Sequence, residues 1–392
     1  MPLTMAVIFG SKTCEHDVSI ISGLQALSAV NPVKYRAIPI YISREGEWYT
    51  GNLLRNIEFY RSFVPSRVTH VLPVPRGGKI QLIEHPDGEK FFGRLKVFDT
   101  IDIVLPVMHG MNGEDGTLQG MLEMWNVPYT SSGVLGSAVG MDKIVMKQVF
   151  RGFGFPVLPD MTVNRSEWEK NRDAILDGIE RTLKYPLYCK PANLGSSIGI
   201  SRADDRASLA GGIDIAVAYD KRVMVEKGVA QIKEVNCSVL GYGDDVRASV
   251  LEMPIRWDDA ALLDFNKKYL SGTGGKGMES MNRRIPAPID DALTDKIRGL
   301  SVDVFKALDS KGVVRIDYMI DETDNSVYIG EINTIPGSLA LSLWEAMNIT
   351  FSELLDIMAE SALIAHADKQ RNVFTYDSTI LSSVASGTKM AK

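Results

Sequence analysis

Arg315 and Asp317 stand two residues apart, and so do Glu331 and Asn333 a short distance along the chain. In an extended strand, residues i and i+2 face the same side. If the two segments pair, an arginine, two carboxylates and an amide meet on one surface. Two carboxylates and an amide are hard oxygen donors, suited to Mg²⁺ bridging phosphates. Arg315 adds fixed positive charge for a transferring phosphoryl group or a developing oxyanion. A solvated strand face carrying an ordinary ion pair would show the same letters.

A second set is cationic. Asp142-Lys143 opens a helix, and Lys190-Pro191 ends a strand before Asn193-Leu-Gly195-Ser196-Ser197-Ile-Gly199. Glycine and serine in such a turn offer backbone N–H groups and hydroxyls to phosphate oxygens. Lys143 and Lys190 would neutralise a polyphosphate. Single lysines are mostly solvent-exposed, so the specificity lies in the string Lys-Pro-x4-Ser-Ser-x-Gly. Glu226-Lys227-Gly-Val229 follows a strand and could lay backbone beside a purine edge, or could simply lead into a linker.

A third set lies in turns after strands, where ligands of open α/β sheets bind. Glu15-His16-Asp17-Val18-Ser19 follows the first strand, and helix capping by Asp17 or Ser19 is its plain alternative. His109-Gly110 ends a buried strand before Gly113-Glu-Asp-Gly116, where a structural histidine is the default.

These residues need a frame. Strands are expected at Met5 to Phe9, Tyr35 to Ile42 and Ile101 to Met108, the last continuously apolar as in a strand buried on both faces. Helices near Asp17 to Val30 and Thr117 to Trp125 alternate with them, which implies a parallel sheet. Residues 44–98 read as an insertion with short strands of its own. Beyond residue 131, helices are expected at Asp142 to Gly152 and Ser166 to Leu183. Strands follow at Pro186 to Lys190, Ile198 to Ser201 and Arg222 to Glu226. The next unit has strands at Glu234 to Leu240, Val246 to Met253, Val313 to Ile320 and Ser326 to Ile332. Its other parts are a Gly-rich loop at Ser271 to Gly277 and helices at Ile289 to Leu308 and Phe351 to Ala365.

The chain has 392 residues, 45% hydrophobic and 23% charged, which excludes disorder and fibre. Its net charge of −6 argues against general nucleic-acid or anionic-membrane binding. No apolar run nears the roughly 18 residues of a membrane span. The first residues lack the pattern of a secretory signal, and Cys14, Cys189 and Cys237 have no metal spacing, so reduced thiols in the cytoplasm are expected. Gly272-Thr-Gly274-Gly-Lys-Gly277 has the letters of a dinucleotide fingerprint without its strand and helix. There is no Walker A string, zinc spacing among the five histidines or Gly-x-Ser-x-Gly elbow.

The chain resembles the D-alanine–D-alanine ligases of the ATP-grasp superfamily. The matching strings are Glu15-His-Asp-Val-Ser19, His109-Gly with Gly113-Glu-Asp-Gly-Thr-Leu-Gln-Gly120, and Ser132-Gly-Val-Leu-Gly-Ser-Ala with Met141-Asp-Lys143. Further on come Lys190-Pro with Gly195-Ser-Ser-Ile-Gly199, Glu226-Lys227, Lys268-Tyr269-Leu270, Gly312-Val-Val-Arg315-Ile-Asp317 and Glu331-Ile-Asn-Thr-Ile-Pro-Gly337. They keep the family order over residues 4 to 365.

The resemblance implies an α/β and α+β protein, an ATP-grasp fold with an N-terminal Rossmann-like pre-ATP-grasp domain. The expected units are residues 1–131, 132–230 and 231–367, with a peripheral tail at 368–392. It implies that ATP phosphorylates one D-alanine carboxylate and that a second D-alanine's amine attacks the acylphosphate, for peptidoglycan precursors. It assigns Lys143, Lys190 and Ser197 to the ATP phosphates, Glu226, Lys227 and Val229 to adenine, Glu234 to ribose and Lys268 to the γ-phosphate. Asp317, Glu331 and Asn333 would hold two Mg²⁺ or Mn²⁺ ions. Arg315 and the Gly337 amide would stabilise the oxyanion, and His109 would sit by the reacting carboxyl. Glu15 would bind the first ammonium and form a triad with Ser196 and Tyr269. Ser342 and Leu343 would meet the second carboxylate. A cytoplasmic homodimer taking only small substrates, with no nucleic-acid or membrane partner, completes the expectation.

Two departures concern the substrates. Leu194 stands where the family's phosphate loop usually has Glu, and Ser-Leu-Ala-Leu-Ser-Leu-Trp344 replaces a more Ser-rich segment. Tyr269 favours an amine acceptor. The alternatives are a ligase using D-serine, D-lactate or another amino acid, and a non-catalytic nucleotide sensor.

Overall fold

The computed structural model describes residues 2–85, 96–254, 283–376 and 378. Lys268, Tyr269 and the Gly-rich loop at 271–277 lie outside the described residues.

The first sheet is built from β1 (Leu3–Gly10), β2 (Tyr35–Ile42), β3 (Trp48–Thr50), β4 (Thr69–Arg76), β5 (Lys79–Glu84), β6 (Val97–Ile101) and β7 (Ile103–Pro106), in the order β6-β5-β4-β3-β2-β1-β7. Only β2, β1 and β7 run parallel. The short strands expected within residues 44–98 are present among the described residues, and they do not form a sheet of their own. They extend the same sheet antiparallel from β2 outward. The expected single strand over 101–108 is likewise two, because the chain breaks at Asp102, whose carboxylate accepts the Thr4 N–H (2.8 Å).

The second sheet holds β8 (Asp160–Asn164), β9 (Leu187–Pro191), β10 (Ser201–Ala203) and β11 (Arg222–Lys227), in the order β10-β9-β11-β8. The strand expected at 198–201 starts later, at Ser201. The residues before it curl: Ser196, Ser197 and Gly199 have φ of 54°, 59° and 72°, the left-handed region no strand uses. The helix expected over 166–183 is also two pieces, Arg165–Trp168 and Arg172–Thr182. The break follows Trp168, which is fully buried and donates its indole N–H to Asp214 (2.8 Å).

The third sheet holds β12 (Ile232–Tyr242), β13 (Asp245–Pro254), β14 (Arg283–Arg284), β15 (Gly312–Asp321) and β16 (Val327–Asn333), in the order β14-β13-β12-β15-β16. One core joins its underside to the Asp291–Ala307 and Lys143–Gly152 helices, through Ile297, Val304, Phe305, Met146 and Phe150. Another core runs from β1 and the His16–Ala29 helix to the Phe351–Lys369 helix. The last helix extends to Lys369, past the boundary expected at 367.

Candidate active site

β15 and β16 pair antiparallel with Arg315 opposite Asn333 and Asp317 opposite Glu331. Alternation then puts all four side chains on one face. Arg315 donates to both Asp317 oxygens, Nε to Oδ1 and Nη2 to Oδ2, each at 2.7 Å. The Asn333 amide donates to Asp317 Oδ2 (3.2 Å). The face opens on a cleft lined by Glu15, Glu114, Lys143, Gly195, Glu331 and Asn333, among others.

Lys143 reaches that face from the side. Asp142 caps its helix, accepting from the N–H groups of Ile144 and Val145 (3.1 Å each), and it also pairs with Arg222. The Lys143 N–H donates to Ala192 O (2.9 Å), which ties the helix start to the end of β9. The Lys143 ammonium lies 3.2 Å from Glu331 and donates to Leu194 O (2.7 Å). Burial raises the Glu331 carboxyl, but Lys143, Lys190 and Arg315 outweigh it and hold the group below its usual range. At Asp317, burial and the Glu331 and Glu252 charges outweigh Arg315 and push the carboxyl up. Two adjacent carboxylates splitting this way is ordinary electrostatics.

Lys190, next to last in β9, pairs with Glu226 at 2.5 Å. Lys147, fully buried, takes the other Glu226 oxygen and donates to Leu158 O (2.8 Å). Burial opposes the Glu226 charge, yet the two lysines bring its carboxyl down to about 2. Burial pulls Lys147 down to about 8 against the attraction of Glu226. At Lys190 the pull of Glu226, then Glu331 and Glu234, overcomes burial and raises the ammonium. Lys227 and Val229 follow at the end of β11, where the Lys227 and Gly228 N–H groups donate to Pro159 O (2.9 Å) and Pro186 O (2.7 Å).

Glu15 lines the cleft, and Ser196 donates to it. Two glycines make room for it. A Cβ on Gly110, itself at φ 73°, would come within 2.6 Å of Glu15 Oε2, and one on Gly195 within 3.0 Å. Ser197 is next to Ser196 in the same left-handed turn. Glu114 accepts from the N–H groups of Gly110 (2.8 Å) and Ile335 (3.0 Å), and burial, with Glu15 second, pushes its carboxyl up to about 8.

His109 is buried in the wall. Its ring meets Ile335 O (2.9 Å) and Ser22 Oγ (2.9 Å), and burial lowers it to about 4, so it is neutral. Gly337 opens a short 3₁₀ turn, and Ser342 lies in the Leu341–Glu345 helix and accepts from Arg283 (2.9 Å). The Leu343 side chain is in the core. The structure thus gathers Glu15, Lys143, Gly195-Ser196, Arg315, Asp317, Glu331 and Asn333, while Leu343 contributes no side chain.

Sequence reasoning passes over Glu114, Lys147 and Arg283. Lys147 carries a signal, since it falls on the buried side of its helix with Met146 and Phe150. Among the described residues no group of three His, Cys, Asp or Glu is placed to hold a metal alone. Among the described residues no helix is long and apolar enough to cross a membrane.

A phosphate-type turn and an acid-bearing strand pair, set on two sheets beside a Rossmann-like third, define an ATP-grasp enzyme. Family models described as the N-terminus and the C-terminus of D-ala D-ala ligase match residues 4–132 and 149–360, and the chain belongs to that family. A D-alanine–D-alanine ligase of Thermosipho africanus is 36% identical over 379 residues, covering 96% of this chain and 98% of the relative. The solved D-alanine–D-alanine ligase of Coxiella burnetii is 26% identical with a TM-score of 0.75, covering 94% of this chain and 96% of its own. The solved D-Ala:D-Ser ligase of Enterococcus faecalis is 28% identical with a TM-score of 0.76, covering 92% of this chain and all of its own.

Proposed function

We propose that the protein joins two D-alanines, with ATP, into D-alanyl-D-alanine for peptidoglycan precursors. The carrying observation is the register of β15 on β16, which sets Arg315, Asp317, Glu331 and Asn333 on one strand face, with Glu331 and Asn333 lining a cleft beside Lys143 and Glu15. A carboxylate is a poor acyl donor until its oxygen is part of a phosphate leaving group. One oxygen of the first D-alanine attacks the γ-phosphorus and ADP leaves. The second amine then attacks the acyl carbon, phosphate leaves with the bonding electrons, and the amine's excess proton is released.

On this reading Lys143, Lys190 and Ser197 bind the phosphates and Lys268 the γ-phosphate. Glu226, Lys227 and Val229 frame adenine, and Glu234 takes the ribose. Asp317, Glu331 and Asn333 would hold two Mg²⁺ ions, which would supply charge neutralisation on the phosphates. Arg315 holds Asp317, and Lys143 lies beside Glu331, which supports this reading. Arg315 and the Gly337 amide point charge and dipole at the oxyanion. Glu15 receives the first ammonium and forms a triad with Ser196 and Tyr269, while Ser342 and the Leu343 backbone meet the second carboxylate. Residues 1–131, 132–230 and 231–367 act as three units around one cleft, in a cytoplasmic homodimer.

Purified protein with ATP, Mg²⁺ and a panel of acceptors tests this, read by mass spectrometry. D-Alanyl-D-alanine with stoichiometric phosphate is the expected product. Product from D-serine or D-lactate but none from D-alanine alone moves the assignment to another acceptor. ATP binding with no turnover on any of them makes the protein a sensor.

A further inference from the structure

We infer that Glu114 is a positioning residue, which fixes the Ile335 peptide and, through it, the Gly337 amide. The inference rests on the ligase reading for the role of that amide. Glu114 Oε1 accepts the Ile335 N–H at 3.0 Å and Oε2 accepts the Gly110 N–H at 2.8 Å. Its carboxyl group therefore ties the turn after β7 to the segment after β16, across 221 positions of sequence.

The same segment is gripped elsewhere by the N-terminal part of the chain. The His109 ring bonds Ile335 O at 2.9 Å, so both polar groups of Ile335 are held from one side. Ser22 Oγ bonds His109 Nε2 (2.9 Å) and accepts the Ser338 N–H (3.2 Å), while Ser338 Oγ donates to Gln25 Oε1 (2.7 Å). Gly337 lies between the two held points. Beyond it, Ser338, Leu339 and Ala340 have φ of 47°, 54° and 55°. Three successive non-glycine residues in the left-handed region persist only where the surroundings over-determine them. Ser22, Gln25 and the buried Leu339 side chain do this at one end and Glu114 with His109 at the other.

A carboxyl group is the side chain the position needs. Two backbone N–H groups face its two oxygens, and each oxygen keeps a lone pair for them whether or not the group is ionised. A glutamine would turn its own NH₂ toward one of those donors and lose that hold. Glu114 lines the cleft, yet its two oxygens are already engaged with backbone, which separates its task from substrate binding.

The test compares wild type with Glu114→Gln in the full chain. Amide hydrogen exchange of the peptide covering 333–340 should quicken in the variant. Dipeptide kcat should fall about 10²-fold, the cost of displacing one oxyanion donor, with the KM for ATP within about twofold. Migration of ¹⁸O from the β,γ-bridge of ATP to the β-nonbridge positions reports acylphosphate formation, and it should persist. A merely structural role would lower exchange protection everywhere and take ATP affinity and isotope migration down with kcat, and that outcome overturns the inference. Unchanged exchange at 333–340 overturns it too, whatever the activity. If Glu114→Gln does not fold, Ser22→Ala should show the same split with a fall of about tenfold, as expected for one neutral hydrogen bond. A wild-type chain that makes no dipeptide removes the ligase reading instead, and the exchange comparison still decides whether Glu114 holds the segment.

Discussion

Arg315 holds Asp317 with two parallel hydrogen bonds of 2.7 Å, from two positions before it on the same strand. This fork arrangement belongs to arginine, whose planar guanidinium meets both carboxylate oxygens at once. It fixes the direction of Asp317. Arg315→Lys keeps the charge and loses the fork. Its kcat for dipeptide formation should drop about 10²–10³-fold, the usual loss for one oxyanion donor, with a smaller change in the KM for ATP. Steady-state phosphate release checks this, and a kcat within threefold of wild type would remove Arg315 from the proposed machinery.

Glu331 faces Asp317 across the strand pair and lies 3.2 Å from Lys143. Glu331→Gln keeps the shape and removes the negative charge. Turnover should become undetectable, and the Mg²⁺ concentration needed for ATP binding should rise. Circular dichroism should stay as in wild type, because the side chain is about a third exposed and its pairing is not a core contact. Near-normal activity would place the divalent cations elsewhere.

The strand pair was legible because alternation is a local rule: two letters two apart share a face whatever the rest of the chain does. Helix Thr117–Trp125 and strand β2 match their apolar patterns end to end. Glu114 was not legible in its role. Its partners are backbone N–H groups, one of them on Ile335, and no side-chain spacing encodes that meeting. Lys147 was hidden for a related reason, since a lysine in an amphipathic helix reads as solvated until Glu226 is brought to it from 79 positions away. Residues 44–98 read as an insertion with short strands of its own because that stretch is less regular, and what the sequence did not show is that these strands join the first sheet, where β4 carries Pro73 and Pro75 in its antiparallel pairing with β5.

Glu15 is confined by Gly110 and Gly195 and accepts from Ser196. Glu15→Gln preserves the volume these glycines allow and gives up the charge that would meet an ammonium. The KM for the first D-alanine should rise about tenfold or more, since a charged hydrogen bond is worth roughly 1.5–3 kcal/mol. The KM for ATP should hold. Initial rates at saturating ATP against D-alanine concentration measure this. An unchanged D-alanine dependence would mean that the first substrate binds elsewhere in the cleft.

Glu226 gives a prediction that needs no substrate. Its carboxylate is shared between Lys147 and Lys190, with the Glu226 and Lys147 side chains almost wholly buried. Its carboxyl falls from the usual 4.5 to about 2, because the two lysines outweigh the cost of burial. The folded chain therefore holds on to fewer protons at this site than the unfolded chain between those values. The stability it contributes is complete above about pH 4.5 and disappears as pH drops through about 2. Glu226→Gln leaves two ammonium groups facing a neutral amide, and removing one partner of a buried pair costs about 3–5 kcal/mol. At pH 7 the variant should unfold at lower urea than wild type. The gap should narrow between pH 4.5 and 2, since wild type loses in that window a contribution the variant never had. Urea midpoints at half-unit steps of pH measure both curves. Two curves that stay parallel across that window would show that Glu226 is not ionised against its lysines in the folded protein.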